Sequence, residues 1–151
     1  MKIRKINRFD YEQVMDMMID FAVKTGVKDL CQEIYDREHA GKILLHCERS
    51  GISLVAEVDG QVVGMLLSVA DRDLWIPKVV RLRELAWWVK EEYRNTTIGA
   101  RLFQRYTQGA EELLEQGRIT GYTISKMYNS PDFDYERRGF RYVESTYMIG
   151  E

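Results

Sequence analysis

The stretch RLRELAWWVKEEYRNTTIGARLF, residues 81–103, limits the fold more than any other part of the chain. Residues 81–89 become apolar on both sides toward their end. They read as a strand covered on both faces and therefore central in a sheet. From Ile98 the period changes: Ile98, Leu102, Tyr106, Ala110, Leu113 and Leu114 line one face of a helix that stops at Gly117. A central strand that runs through a short polar turn into a helix is a ready-made anion site. The first turn of a helix has four backbone N–H groups without intrahelical partners, and its dipole is positive there. Phosphate groups fit both features. Gly99 and Ala100 keep bulk low where a ligand would lie against backbone, Arg94 adds a fixed charge, and Thr96 and Thr97 add hydroxyl donors. Residues 94–100 by themselves fit equally well a polar β–α turn with a capping threonine.

The remaining segments supply the layers that such a strand needs. KIRKIN alternates and reads as a first strand. Asp10 is expected to cap the next helix, with Gln13 reaching back. Val14, Met15, Met18, Phe21 and Ala22 recur at helical spacing up to Gly26, and the methionines among them read as core. A second helical stretch spans about residues 29–46, with a break expected near Gly41. Residues 52–58 and 61–70 are β-rich and separated by Asp59-Gly60, a strong hairpin signal. Residues 118–126 read as a fifth strand. Ser130-Pro131 opens a short helix ending at Gly139, and residues 140–144 and 146–149 read as closing strands. The order βααβββαβαββ is an α/β chain with a mixed sheet flanked by helices, expected to form one domain over residues 1–151.

Bulk properties narrow the function classes. A net charge of -2 and a pI near 5.8 give no overall drive toward nucleic acid or an anionic membrane. No apolar run approaches the roughly 20 residues of a membrane helix, and MKIRKINRFD lacks a signal-peptide core. A cytoplasmic location is expected. Cys31 and Cys47 give no disulfide framework and sit away from the strand ends, so packing is their expected role. His39, His46 and the cysteines lack the paired short spacings of a structural zinc site, so no metal is expected.

Order and spacing together go further. RNTTIGA resembles motif A of the GNAT superfamily of acyl-CoA-dependent N-acyltransferases, Arg/Gln-x-x-Gly-x-Gly/Ala after the fourth strand. Arg94 stands at its first position and Gly99 at its last. Thr97 stands where the family usually has its first glycine, and a β-branched residue keeps backbone further from a phosphate. Val89, Tyr93 and Arg94 match the lead-in Val-x-Pro-Glu-Tyr-Arg, with Glu91 in place of proline. YERRGF is similar to Tyr-Glu-Lys-Leu-Gly-Phe at Tyr135, Glu136, Gly139 and Phe140. The resemblance covers the whole chain. It implies the GNAT fold, a mostly antiparallel sheet whose fourth and fifth strands splay apart, and acetyl-CoA as co-substrate. The freed backbone of Trp88 and Val89 would pair with the pantetheine arm as an added strand does. The pyrophosphate would sit on the amides of Arg94, Asn95, Thr96, Thr97, Ile98, Gly99 and Ala100. Asn129 resembles the family's asparagine near the pantetheine, at a spacing of six rather than seven residues before Tyr135. It reads equally as a turn residue before the Ser130 cap.

Amide formation needs a neutral amine, and a lysine-like amine has a pKa of about 10.4. Glu84, the one carboxylate inside an apolar central strand, is the candidate base, since burial would raise its pKa toward the useful range. It reads also as an ion-pair partner of Arg81 or Arg83. On strand parity it shares a face with Ala86 and Trp88 unless a bulge intervenes. Tyr135 matches the family position for protonating the departing thiolate, or fills space beneath Phe140. Trp87 and Trp88 point to opposite faces, one toward the core and the other toward an acceptor cleft. In the family the acceptor site involves the first two helices. Here they carry Glu12, Asp16, Asp20, Asp29, Glu33, Asp36 and Glu38, which would favour a cationic amine or serve simply as a solvated face. The expected activity is transfer of an acetyl group to a primary amine of a small molecule or protein. The alternative is an acyl-CoA-binding or interaction module with little turnover. A homodimer is compatible with either. The WWV and GARL details resemble short phage-borne or mobile bacterial members of the family.

Overall fold

The computed structural model describes residues 1–26 and 36–150. Five strands form one sheet in the order β1 (Lys2–Lys5), β2 (Leu54–Val58), β3 (Gln61–Arg72), β4 (Val80–Val89) and β5 (Gly121–Thr123). The first four are antiparallel neighbours, and β5 runs parallel to β4. Helices α1 (Tyr11–Thr25) and α2 (Arg37–Ser50) cover one face and α3 (Ile98–Glu115) the other. The core is accordingly split by the sheet. Val14, Met15, Met17, Leu44 and Cys47 pack on Val55, Met65, Leu67, Val69 and Ala86. Ile98, Leu102, Tyr106 and Ala110 pack on Leu54, Ala56, Val63, Leu66, Leu82 and Val89. Each such aliphatic side chain contributes about 1.5–3 kcal/mol when fully buried, so two covered faces explain why β3 reads as a continuous apolar run. Among the described residues no helix is long and apolar enough to cross a membrane.

Local chemistry sets the connections. Asp59 and Gly60 both take positive φ, 50° and 80°, the geometry of a two-residue primed turn, as their sequence predicts. Gly51 ends α2 against β3, where a Cβ would lie 1.9 Å from the Ser68 carbonyl oxygen. Below it the buried Ser53 and Ser68 exchange hydrogen bonds with each other's strand and with Ile52, at 2.8–3.0 Å, so the entry to β2 is pinned by side chains.

Several expected details differ. The capping box forms one turn earlier than predicted: Asn7 accepts from Phe9 N at 2.9 Å, and Asp10 accepts from Asn7 N at 2.9 Å. Asp10 makes no cap bond to α1, because Arg4 holds both its oxygens at 2.7 Å. Gln13 accepts instead from Val62 N at 2.8 Å and ties α1 to the hairpin. Gly41 does not break α2. A Cβ there would come within 3.5 Å of Met15 on α1, so the glycine lies at the helix contact. α2 begins after Asp36, which accepts from His39 N at 2.9 Å, and the predicted start at residue 29 lies outside the described residues. The fifth strand shrinks to three residues. The predicted 130–139 helix is reduced to one tight turn, Glu136–Arg138. The closing strands predicted at 140–144 and 146–149 do not form, and Tyr142, Val143, Tyr147, Met148 and Ile149 are exposed. Their alternation fits a strand, but a strand needs an edge to pair with, and β5 stops too soon to offer one.

Candidate active site

β4 and β5 pair only at Arg81–Gly121, Leu82–Tyr122 and Arg83–Thr123. Beyond that point side chains replace the ladder. The Ser125 N–H donates to the Glu84 carboxylate at 3.1 Å. The Tyr106 hydroxyl donates to the Thr123 carbonyl at 3.1 Å. The two strands thus part at Glu84, which leaves the β5 side of β4 from Glu84 to Val89 without a strand partner among the described residues.

A bulge fixes which way Glu84 points. Leu67 opposes Ala86 while Ser68 opposes Glu84, so Leu85 is the extra residue. Leu85 and Ala86, adjacent in sequence, both face α1 and α2. The parity reading that put Glu84 with Ala86 and Trp88 is therefore corrected: the bulge turns it to the face of Leu82 and Tyr106. The ion-pair reading also gives way. Arg81 pairs with Asp73 at 2.9 Å and Arg83 with Asp71 at 2.6 Å. Glu84 is 7% exposed. Burial pushes its pKa up to about 7, opposed in part by the Ser125 N–H.

Tyr135 lies close enough that, after burial, the Glu84 charge raises its pKa further. It belongs to an aromatic cluster at the opening, with its ring 4.8 Å from Phe133, 6.1 Å from Phe140 and 6.5 Å from Phe103. Phe133 in turn stands edge-on to Trp87 at 5.6 Å. Trp87 stacks on Phe103 from α3, and Trp88 meets Phe21 of α1 edge-on, so the two tryptophans do face opposite layers. Both lean on core clusters.

The turn from β4 into α3 partly satisfies itself. The Arg94 Nε donates to the Val89 carbonyl at 3.1 Å, and its guanidinium lies 4.2 Å over the Trp88 ring. Thr96 donates to the Tyr93 carbonyl at 2.6 Å and accepts from Ile98 N at 3.3 Å, so Thr96 is the capping threonine. Thr97 occupies the N-cap position but makes no side-chain cap bond. Ile98 is buried, whereas Asn95, Thr97 and Ala100 are exposed. A Cβ on Gly99 would meet nothing closer than 3.8 Å, to Trp87 and Val89. Packing of the fold therefore does not demand this glycine. The amides of Gly99 and Ala100 belong to the first turn of α3, whose donors have no carbonyl within the helix.

Asn129 is spent on the end of α1, donating to the Lys24 carbonyl at 3.2 Å. The Lys24 ammonium reaches Glu91 at 3.3 Å, so Asn129 stands at the same end of the sheet as the 91–100 turn. The acidic face of the first helices is partly neutralised: Arg37 pairs with Glu12 and with Asp16, and Lys42 with Glu38. Asp29, Glu33 and Cys31 lie outside the described residues, whereas Cys47 is wholly buried as a small core side chain. Three participants escape a reading by sequence. Ser125 contributes only its backbone, and Phe133 lies in an irregular segment. Tyr106 reads as one more apolar member of a helical stripe, although a buried tyrosine needs a partner for its hydroxyl.

Comparison with known proteins agrees with this architecture. No curated protein matches the sequence. A possible acetyltransferase from Clostridium difficile 630 has 21% identity and a TM-score of 0.71, over 99% of this chain and 96% of that one. A predicted acetyltransferase from Clostridium acetobutylicum, solved with acetyl-CoA, has 11% identity and a TM-score of 0.74, over 99% and 95%. A ribosomal-protein-alanine N-acetyltransferase from Brucella melitensis biovar Abortus 2308 has 18% identity and a TM-score of 0.63, over 98% and 96%. At these identities the likeness is one of fold. The acetyltransferase (GNAT) family profile matches residues 15–140, most of the chain, and includes both the splayed strands and the turn into α3. The chain belongs to the acetyltransferase (GNAT) family.

Proposed function

We propose that this chain transfers an acetyl group from acetyl-CoA to a primary amine. The observation that carries the reading is Glu84: a buried carboxylate with no ionic partner among the described residues, set where β4 and β5 part. The thioester supplies the activated acetyl group. The unpaired side of Trp88 and Val89 would take the pantetheine arm. The free amides at the start of α3 would take the pyrophosphate, with Gly99 leaving room and Arg94, Asn95, Thr96 and Thr97 around it.

With a pKa near 7, Glu84 takes the proton of the incoming ammonium, directly or through one water. The amine nitrogen then attacks the acetyl carbon. As the new C–N bond forms, the C–S bond breaks, the Tyr135 phenol gives its proton to the departing thiolate sulfur, and the second proton lost by the acylated nitrogen restores the phenol, directly or through water. A phenol whose pKa lies above its ordinary value stays protonated at neutral pH and can serve as that donor. Tyr106 and Ser125 hold the opening rather than touch the reacting atoms.

A second reading, a binding module with little turnover, draws on Thr97 and on Arg94, whose side chain is committed to Val89 and Trp88. One assay separates them. CoA release with acetyl-CoA across a panel of amines and peptides should be acceptor-dependent. Binding of acetyl-CoA with no acceptor-dependent release across the panel would favour the module.

A further inference from the structure

A single exposed apolar residue needs no explanation, but several in succession on one fixed turn do. Leu74 and Trp75, at the turn between β3 and β4, are 93% and 91% exposed, and Ile76 is 49% exposed. The turn is held firmly. Asp73 N donates to the Val79 carbonyl at 2.9 Å, and Val79 N to the Ile76 carbonyl at 2.8 Å. One Asp73 oxygen accepts from Trp75 N at 2.9 Å and Ile76 N at 3.0 Å, while the other takes Arg81 at 2.9 Å. Arg72 closes the far side on the Pro77 carbonyl at 3.1 Å. These contacts present the apolar tip in one orientation.

The residues flanking the tip, Asp73 and Val79, line a cleft that extends to the candidate active site. Asp71, Asp73, Arg81 and Arg83 line one wall of this open cleft, which also reaches Ser125 and Tyr135. From Glu84 back to Val80 the strand covers about 13 Å at roughly 3.3 Å per residue, and the turn extends beyond. An occupant touching both ends would span about five or six extended residues. Charge favours one kind of occupant. Residues 71–83 carry four basic and two acidic side chains. Both acids are taken up by Arg81 and Arg83, which leaves Arg72 and Lys78 without acidic partners among the described residues.

We propose that the β3–β4 turn is a docking surface for an extended polypeptide acceptor. Its amino end reaches Glu84, and an apolar residue about five or six positions along, flanked by acidic residues, packs on Leu74 and Trp75. This rests on the acyl-transfer reading. A small amine would fill the inner end of the cleft and leave the tip bare. The chemistry at the inner end agrees. An α-amino group has a pKa of about 7.7–8.0 and a lysine about 10.4. A carboxylate near 7 therefore accepts a proton from an amino end against only about a tenfold deficit, and from a lysine against more than a thousandfold one.

Two readouts test it on the whole chain. The probes are decapeptide pools with a free amino end, one carrying apolar and acidic residues at positions four to seven and one carrying serine and lysine there, with 1,4-diaminobutane as the small amine. Binding is followed by fluorescence anisotropy of the labelled pools and turnover by CoA release. The apolar-acidic pool should bind and react in preference to the other. Leu74→Ser with Trp75→Ser, both at exposed positions, should lower its kcat/KM at least tenfold without changing acetyl-CoA affinity or the thermal midpoint. Equal kcat/KM and equal binding in the variant would overturn the docking surface. So would a chain that acetylates diaminobutane but neither binds nor acetylates the peptides, or one that ignores every probe. If peptides bind in a Trp75-dependent way but no CoA is released, the docking surface stands and the acyl-transfer reading fails.

Discussion

Burial works against the charged form of Glu84. Its pKa is raised from an ordinary 4.5 to about 7 by burial. The folded state therefore holds a proton that the unfolded chain has released between those two values, and stability falls as pH rises through that window. The full difference amounts to about 3 kcal/mol at 1.36 kcal/mol per pKa unit. Glu84→Gln removes the charge and keeps an oxygen for the Ser125 N–H. In urea unfolding the variant should be more stable than the parent at pH 8, and the gap should close below about pH 5, the lower end of that window. A variant equally destabilised at both pH values would show that the carboxylate is paired in the native state. Tyr135→Phe keeps the ring in its aromatic cluster and removes the hydroxyl. With an acceptor in hand it should lower kcat by about 10²–10⁴-fold while acetyl-CoA affinity, measured by calorimetry, stays nearly the same.

At the scale of elements, the contacts between them are tight at some glycines and open at others, and the difference is testable. Gly51→Ala would drive a Cβ into the Ser68 carbonyl and should cost at least about 1–3 kcal/mol in denaturant unfolding. Gly99→Leu meets no such wall and should leave the unfolding midpoint nearly unchanged while weakening acetyl-CoA binding. Loss of stability without loss of affinity would remove Gly99 from the cofactor site. Much at this scale was legible beforehand, because it rests on local chemistry. Asp59-Gly60 can hardly avoid its turn, and the 3.6-residue stripe of α3 runs as its spacing predicts from Ile98 to Ala110, although Leu114 at its end is exposed. What could not be read depends on partners distant in sequence. By sequence Asp10 fits a helix cap, but Arg4 and Glu57 compete for the same corner and win it for an ion pair. The bulge at Leu85 leaves no mark in a strand already apolar on both faces, so the direction of Glu84 had to be seen. The closing strands failed for the same kind of reason: alternation describes a segment's preference, not the presence of an edge.

Over the whole molecule, two core layers fix a sheet, and the sheet is left unfinished at one place. α1 and α2 on one side and α3 on the other bury β2, β3 and β4. Where β4 and β5 diverge, Glu84 and Tyr106 satisfy the Ser125 N–H and Thr123 carbonyl that the ladder abandons. The buried carboxylate at the divergence, with no ionic partner among the described residues, is the group on which the proposed catalysis turns. The direct measurement is the pH dependence of kcat/KM for acetyl transfer, parent against Glu84→Gln, with one acceptor throughout. The parent rate should rise through an apparent pKa near 7. The variant should lack that step and regain activity only as pH approaches the pKa of the acceptor amine. Superimposable profiles for the two proteins would contradict Glu84 as the base and return it to a purely structural place in β4, holding the Ser125 N–H.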